Sequence, residues 1–276
     1  LSTLRCRTLP LTRSKMPVSS TTQRKALGEF TLVTHTDKGT ATTLLKDHNW
    51  DVQAAVNDFF SGTSGAVPSG PMHATLTIMF NKFRDDPVNA PDEINIPGIT
   101  ALLNEMEIGL DDVGSFVFCE LVQSPSLGKV MRNAFIVGCM GVEANSVPKL
   151  RNVIYQRREQ LATDPFLFKR IYNHVFTLGR VAPQKVVQLD IATEFWRVLF
   201  TSPSMEWRSP ESPWLDWWLE FVNNKVSNSI SKDLWQQTLA FAEATLEDDT
   251  LGFWDEMGSW PTVIDDFAKW VKVTKR

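Results

Sequence analysis

The stretch LTIMFNKFRDDPVNAPDEINIPGITALL, residues 76–103, decides the fold class. Leu76, Phe80 and Phe83 recur at helical spacing, and Ile99, Leu102, Leu103 and Met106 resume it after a gap rich in acids, Asn and Pro. That is a helix–loop–helix with the shape of an EF-hand. A calcium loop needs Gly at its sixth position and a bidentate Glu at its end. Counted from Asp85, the sixth position is Ala90, and no Glu closes the loop. The expectation is the EF-hand shape without calcium.

Downstream the helical period persists and no sustained period-two run appears. Val113, Phe116, Val117 and Val122 form one helix, and further helical stretches run near 129–138, 148–161, 165–178, 188–200, 214–226, 231–247 and 261–273. Pro97, Pro125, Pro148, Pro165, Pro183, Pro210, Pro213 and Pro261 sit at breaks or first turns, where a missing N–H is tolerated. Residues 73–276 therefore read as an all-α domain.

Upstream, residues 62–72 carry Gly, Ser and Pro without periodicity and read as a linker. Residues 25–61 read as three short helices. Leu27, Phe30 and Leu32 open the first, Asp37 caps a second with Ala41, Leu44 and Leu45, and Asn49 or Asp51 caps a third. Val52, Ala55, Val56, Phe59 and Phe60 form one stripe on that third helix. Residues 1–24 are basic, rich in Ser and Thr, and interrupted by Pro10 and Pro17. They fit a disordered tail better than a transit peptide, because the apolar spacing makes no clean amphipathic helix; sequence upstream of a start at Met16 is the third reading.

The chain has 276 residues, 43% of them hydrophobic, and a net charge of −4. Three scattered cysteines (Cys6, Cys119 and Cys139) exclude a disulfide framework and a zinc ribbon. No run approaches a membrane span, and the charge does not suggest a nucleic-acid binder. The composition is that of a soluble, intracellular protein. Its charge is uneven: from Glu206 to Asp266 there are 13 acids against 3 bases, and seven of the ten Trp lie in that window. An acidic face steers basic partners, although a solvated surface would have the same composition.

No phosphate loop, nucleophile elbow, H-E-x-x-H pair or C-x-x-C motif is present. His35, His48, His73 and His174 share no metal-ligand spacing, and His174, among Phe168, Tyr172 and Phe176, reads as a packing residue. Cys119 and Cys139 fall in apolar helices and read as small core residues. No catalytic centre, metal site or cofactor site is visible.

Two features together resemble a known family. DHNWDVQAAVNDFF, residues 47–60, is similar to the end of a ubiquitin-associated (UBA)-like domain. The strings FNKFRD (80–85), Phe195-Trp196, SKDLW (231–235) and GSWPTVIDDF (258–267) resemble the potentiating-neddylation, or PONY, domain. In order and spacing they match the defective-in-cullin-neddylation family, fungal type, from roughly Lys25 to Lys272.

The resemblance implies a non-catalytic co-E3 of the cytoplasm and nucleus. Such a protein binds the winged-helix tail of a cullin and the E2 charged with Nedd8, and orients the thioester toward the acceptor lysine while a RING protein acts as the main ligase. The family's cullin-binding Asp, Ala and Asp fall on Asp233, Ser259 and Asp265, with Ser in place of Ala. Its pocket for the acetylated E2 amino terminus falls on Ile96, Ile99, Leu102, Phe116, Leu178, Phe195 and Val198; Ser115 and Leu127 depart from the pattern. Core packing is the plainer reading of each apolar residue alone. A ubiquitin or Nedd8 contact by the UBA-like domain stays open, since Thr34 to Asp37 replace the usual Met-Gly-Phe-like loop. Two other classes compete: a ubiquitin receptor or shuttle acting through residues 26–60, and a calcium-responsive EF-hand protein.

Overall fold

The computed structural model describes residues 20–34, 36, 38–61, 71–180, 184–226 and 228–275. Thirteen α-helices and four three-residue strands occur among them, grouped in two compact units.

The first unit holds α1 (Ser20–Thr34), α2 (Lys38–Asp47) and α3 (Val52–Ser61). Each helix is too short to persist alone, so burial of one face holds it. Ala26 and Phe30 of α1, Ala41, Leu44 and Leu45 of α2, and Ala55 and Phe59 of α3 form that core. The Phe30 and Phe59 rings meet edge to face at 5.9 Å. Asp51 caps α3, its Oδ1 accepting from the amide of Ala54 at 3.1 Å. Asn49 and Trp50 turn the chain between α2 and α3 at φ 53° and 64°. His48 Nε2 and Asp58 Oδ2, 2.7 Å apart, tie that turn to α3.

Two boundaries differ from the sequence reading. Residues 20–24, placed in the tail by their polar composition, form the start of α1, because packing further along the helix decides where it nucleates. Pro71 and Met72, placed in the linker, open the next helix, where Pro is preorganised for the first turn. Residues 1–19 and 62–70, the side chain of Phe60 and the expected cap Asp37 lie outside the described residues.

The second unit is built from helix–strand–helix modules. The first runs α4 (Pro71–Phe83), β1 (Glu93–Asn95), α5 (Ile96–Glu105), and the second α6 (Val113–Leu121), β2 (Lys129–Met131), α7 (Arg132–Gly141). β1 and β2 pair antiparallel with Ile94 opposite Val130, both fully buried. After α8 (Val147–Gln160) the plan repeats: α9 (Pro165–Leu178), β3 (Val186–Gln188), α10 (Leu189–Leu199), then α11 (Trp214–Lys225), β4 (Ser229–Ser231), α12 (Lys232–Glu247). β3 and β4 pair with Val187 opposite Ile230. The last helix is α13 (Thr262–Thr274). The fold is two paired EF-hand-like units and a closing helix. Strands of three residues are too short to leave a period-two signature, which is why the sequence reads as purely helical.

Protein groups satisfy the acids of the first loop. Asp85 Oδ1 accepts from the amide of Asn95 at 2.7 Å, Asp92 pairs with Arg132 at 2.6 Å, and Glu93 with Lys129 at 2.7 Å. The exit of β1 needs Gly98, where a Cβ would stand 2.0 Å from the carbonyl oxygen of Phe83.

The Trp-rich window turns inward. Trp207, Trp214, Trp218 and Trp235 are buried, while Trp217, Trp254 and Trp260 are half-buried. Phe267 of α13 is the hub of this packing, with its ring 5.1 Å from Trp218, 5.4 Å from Phe221 and 5.7 Å from Phe241. Aromatic rings of this size supply most of the apolar burial per residue. Most acids of the same segment are exposed, while the half-buried Asp249 accepts from the indole of Trp214 at 2.7 Å.

Candidate functional site

Residues 264–267 show how the fold builds an acidic surface. Ile264 and Phe267 are fully buried, three residues apart on one face of α13, so Asp265 and Asp266 between them must face outward. Asp266 is exposed and Asp265 half-buried. The carboxylate of Asp265 accepts a 2.9 Å hydrogen bond from the indole Nε1 of Trp254.

Asp233 occupies the first turn of α12 and is exposed. Capping of that helix falls to Ser231, whose Oγ accepts from the amide of Leu234 at 3.1 Å. Asp233 thus forms no hydrogen bond or ion pair among the described residues, and its carboxylate is available to a partner. The positive end of the helix favours it there at no cost to the cap. Helices α12 and α13 pack against each other.

Ser259 is exposed in the loop that enters α13. Several contacts fasten this loop. Asp255 Oδ1 accepts from the amide of Met257 at 3.0 Å, and the carbonyl of Asp255 accepts from the amide of Gly258 at 2.9 Å. A Cβ at Gly258 would stand 2.8 Å from that same carbonyl. Glu256 pairs with Lys269 at 2.6 Å, which raises the pKa of the lysine, and the Lys272 ammonium lies 4.6 Å from the Trp254 ring centroid. Because Ser259 is exposed, its hydroxyl is not a buried unpaired group.

The apolar set behaves differently. Ile99, Leu102, Phe116, Leu178 and Phe195 are buried in one core cluster, and Val198 packs against it half-buried. Phe116 and Phe195 meet edge to face at 5.2 Å. Gly179 at the end of α9 makes room for them, since a Cβ there would come within 2.7 Å of Phe195 Cε2. Ile96 stands apart at 65% exposure, covering Gly128, whose Cβ would meet Ile96 Cγ1 at 3.0 Å. Leu127 is also exposed, while Ser115 is buried with its hydroxyl donating to the carbonyl of Leu110 at 3.3 Å. The seven residues thus divide into a buried wall and an exposed rim.

Other reactive side chains serve packing. Burial pushes the Cys119 thiol up to about 12 and the Cys139 thiol higher still, so both are protonated at neutral pH. Burial lowers the pKa of His174, opposed by the charge of Glu120, whose carboxylate Arg170 holds at 2.8 Å.

Sequence reasoning missed Trp254, Lys272 and Ser231. Only Ser231 carries a local signal, a cap residue directly before a helical run. The roles of Trp254 and Lys272 depend on a loop folding back across α13.

A family model described as cullin binding matches residues 149–270, a span that contains Asp233, Ser259 and Asp265. A second, a UBA-like domain, matches residues 24–65. Among curated proteins, the defective in cullin neddylation protein 1 of Pyricularia oryzae is 32% identical over 269 residues, covering 93% of this chain and 95% of that protein. This chain belongs to the defective-in-cullin-neddylation family. The protein of the same name from Cryptococcus neoformans is 30% identical, with 93% and 96% covered. Drosophila melanogaster DCN1-like protein 3 is 26% identical over 204 residues, which is 72% of this chain and 56% of that protein. The family accounts for both compact units, one UBA-like and one helical, and its cullin-binding match takes in the acidic, Trp-rich segment.

Proposed function

We propose that this chain promotes cullin neddylation as a scaffold with no catalytic residue of its own. Asp233 and Asp265, with Ser259 of the loop that enters α13, bind the basic winged-helix tail of a cullin. The single observation that carries this is the outward presentation of both carboxylates, within the segment that matches the cullin-binding family. A net-negative surface also accelerates encounter with a basic partner.

The apolar wall and its Ile96 rim take the acetylated amino terminus of the Nedd8-charged E2, with a cullin-associated RING protein as the main ligase. Holding E2 and cullin together makes transfer nearly unimolecular, which is worth several kcal/mol of the barrier without acid–base chemistry from the scaffold. The boundaries at residues 25–61 and 73–276 separate the UBA-like part from the part that performs this task, and the protein works in the cytoplasm and nucleus.

A single-turnover assay of Nedd8 transfer from charged E2 to a cullin–RING complex tests the reading. Acceleration by the protein, lost in the Asp233→Ala/Asp265→Ala double variant, is the expected result. A folded wild-type protein that leaves the rate unchanged would refute it. The match of residues 24–65 to a UBA-like domain supports a second activity, a weak ubiquitin or Nedd8 contact, or at the extreme a ubiquitin receptor. Titration of labelled ubiquitin with the full chain separates these, because a receptor would bind ubiquitin while failing the transfer assay.

A further inference from the structure

Asp265 and Lys272 stand seven residues apart on α13, close to two full helical turns, and so share a face of that helix. Trp254, eleven residues before Asp265, lies along that face: its Nε1 donates to Asp265 Oδ1 at 2.9 Å, and the Lys272 ammonium sits 4.6 Å from its ring centroid. A cation over the indole face draws electron density from the ring and sharpens the N–H as a donor, so the two contacts reinforce each other. The other oxygen of Asp265, Oδ2, makes no hydrogen bond among the described residues. One loop residue thus engages one carboxylate oxygen of the half-buried Asp265 and leaves the second unbonded among the described residues. The Lys269–Glu256 pair, 2.6 Å apart, fastens the same loop one turn earlier on the helix.

We infer that Trp254 is a positioning residue for cullin binding: with Lys272 behind it, it holds the Asp265 carboxylate in its binding rotamer and sets the Ser259 loop against it. The inference rests on the proposed cullin site and adds a residue to it. A carboxylate already held in place loses less freedom on binding, and that difference appears in the dissociation rate. Lys272 contributes through Trp254, so its effect disappears once the indole N–H is gone.

The test replaces Trp254 by β-(3-benzothienyl)alanine, which keeps the ring system and exchanges the N–H for sulfur, with Trp254→Phe as the simpler companion. Affinity for an isolated cullin winged-helix domain is measured for the full chain, in the wild-type and the Asp265→Ala backgrounds. The isostere should weaken binding about five-fold in the wild-type background, through faster dissociation, and leave the remaining affinity of Asp265→Ala unchanged. The melting temperature should stay within a degree or so of wild type. Equal affinity of the isostere and wild type overturns the inference. An equal loss in both backgrounds also overturns it, because that pattern belongs to a general loosening of the loop. Failure of the wild-type chain to bind the domain at all would instead remove the cullin site itself, a distinguishable result that takes the inference with it.

Discussion

Tyr172 and Trp235 grip each other twice: the Tyr172 hydroxyl donates to the carbonyl of Trp235 at 2.8 Å, and the Trp235 indole donates to the carbonyl of Tyr172 at 3.0 Å. Their rings stack at 4.6 Å, and Trp196 adds a third bond from its Nε1 to the Tyr172 hydroxyl at 2.9 Å. This reciprocal lock joins α9 of one helix–strand–helix module to α12 of the next. It also fixes the start of α12, where Asp233 sits two residues before Trp235.

Tyr172→Phe should therefore be costly despite its small change in volume. It strands the buried Trp196 N–H and removes the second of two bonds to the Trp235 carbonyl, which keeps its helical partner, and an unmet buried polar group costs about 1–3 kcal/mol. Urea denaturation should show a lower midpoint at an unchanged slope. A midpoint equal to wild type would mean that water replaces the hydroxyl.

The first turn of α12 separates stability from binding. Ser231→Ala removes the cap and should cost about 1 kcal/mol. Asp233→Ala leaves that cap intact, so its urea midpoint should stay close to wild type while affinity for the cullin winged-helix domain falls. Asp265→Lys should weaken the same binding more severely, and raised salt should reduce the association rate of the wild type. Retained cullin affinity in folded Asp265→Lys would take Asp265 out of the site.

Ile96 and Ile99 are close in sequence and opposite in environment, at 65% and 4% exposure. Ile99→Asp buries a charge and should unfold the domain or cost more than about 4 kcal/mol, so it is a poor test of E2 binding. Ile96→Asp should change stability by less than about 0.5 kcal/mol and still reduce affinity for an acetylated E2 amino-terminal peptide. Normal peptide binding by Ile96→Asp would place the E2 contact elsewhere.

His174 supplies a pH dependence of definite sign. Burial holds its pKa below the ordinary 6.5, so the unfolded chain takes up a proton in acid that the folded chain declines. The associated stability is complete above pH 6.5 and is lost as the pH falls toward the lower folded value. The drop in urea midpoint between pH 7.5 and 5.5 should shrink in His174→Gln. An equal drop in both proteins would assign the effect to other groups.

Much of this protein was legible in the chain. Helical spacing from Leu76 onward, the acidic loop between Phe83 and Ile99 and the stripe from Val52 to Phe60 on the third helix announce the helical class and its modules. Those signals are local, because an amphipathic period and a turn are set by residues within a few positions of one another. The motif around Asp265 was readable through its resemblance to the family, while the direction its acids face follows from the burial of Ile264 and Phe267 in the folded protein.

Other features come from elements that meet only after folding. Ile94 pairs with Val130 across thirty-six positions, and strands this brief exist because the modules bring them edge to edge. Composition placed seven Trp and thirteen acids in one window, and only packing sent most of the rings inward and left most of the carboxylates exposed. The same holds for the division of the apolar set into a buried wall and an exposed Ile96. Sequence alone determined which residues could form helices and where charge would gather. Tertiary structure decided which side chains remain available to a partner, because burial and the pairing of Trp254 with Asp265 depend on contacts between segments far apart along the chain.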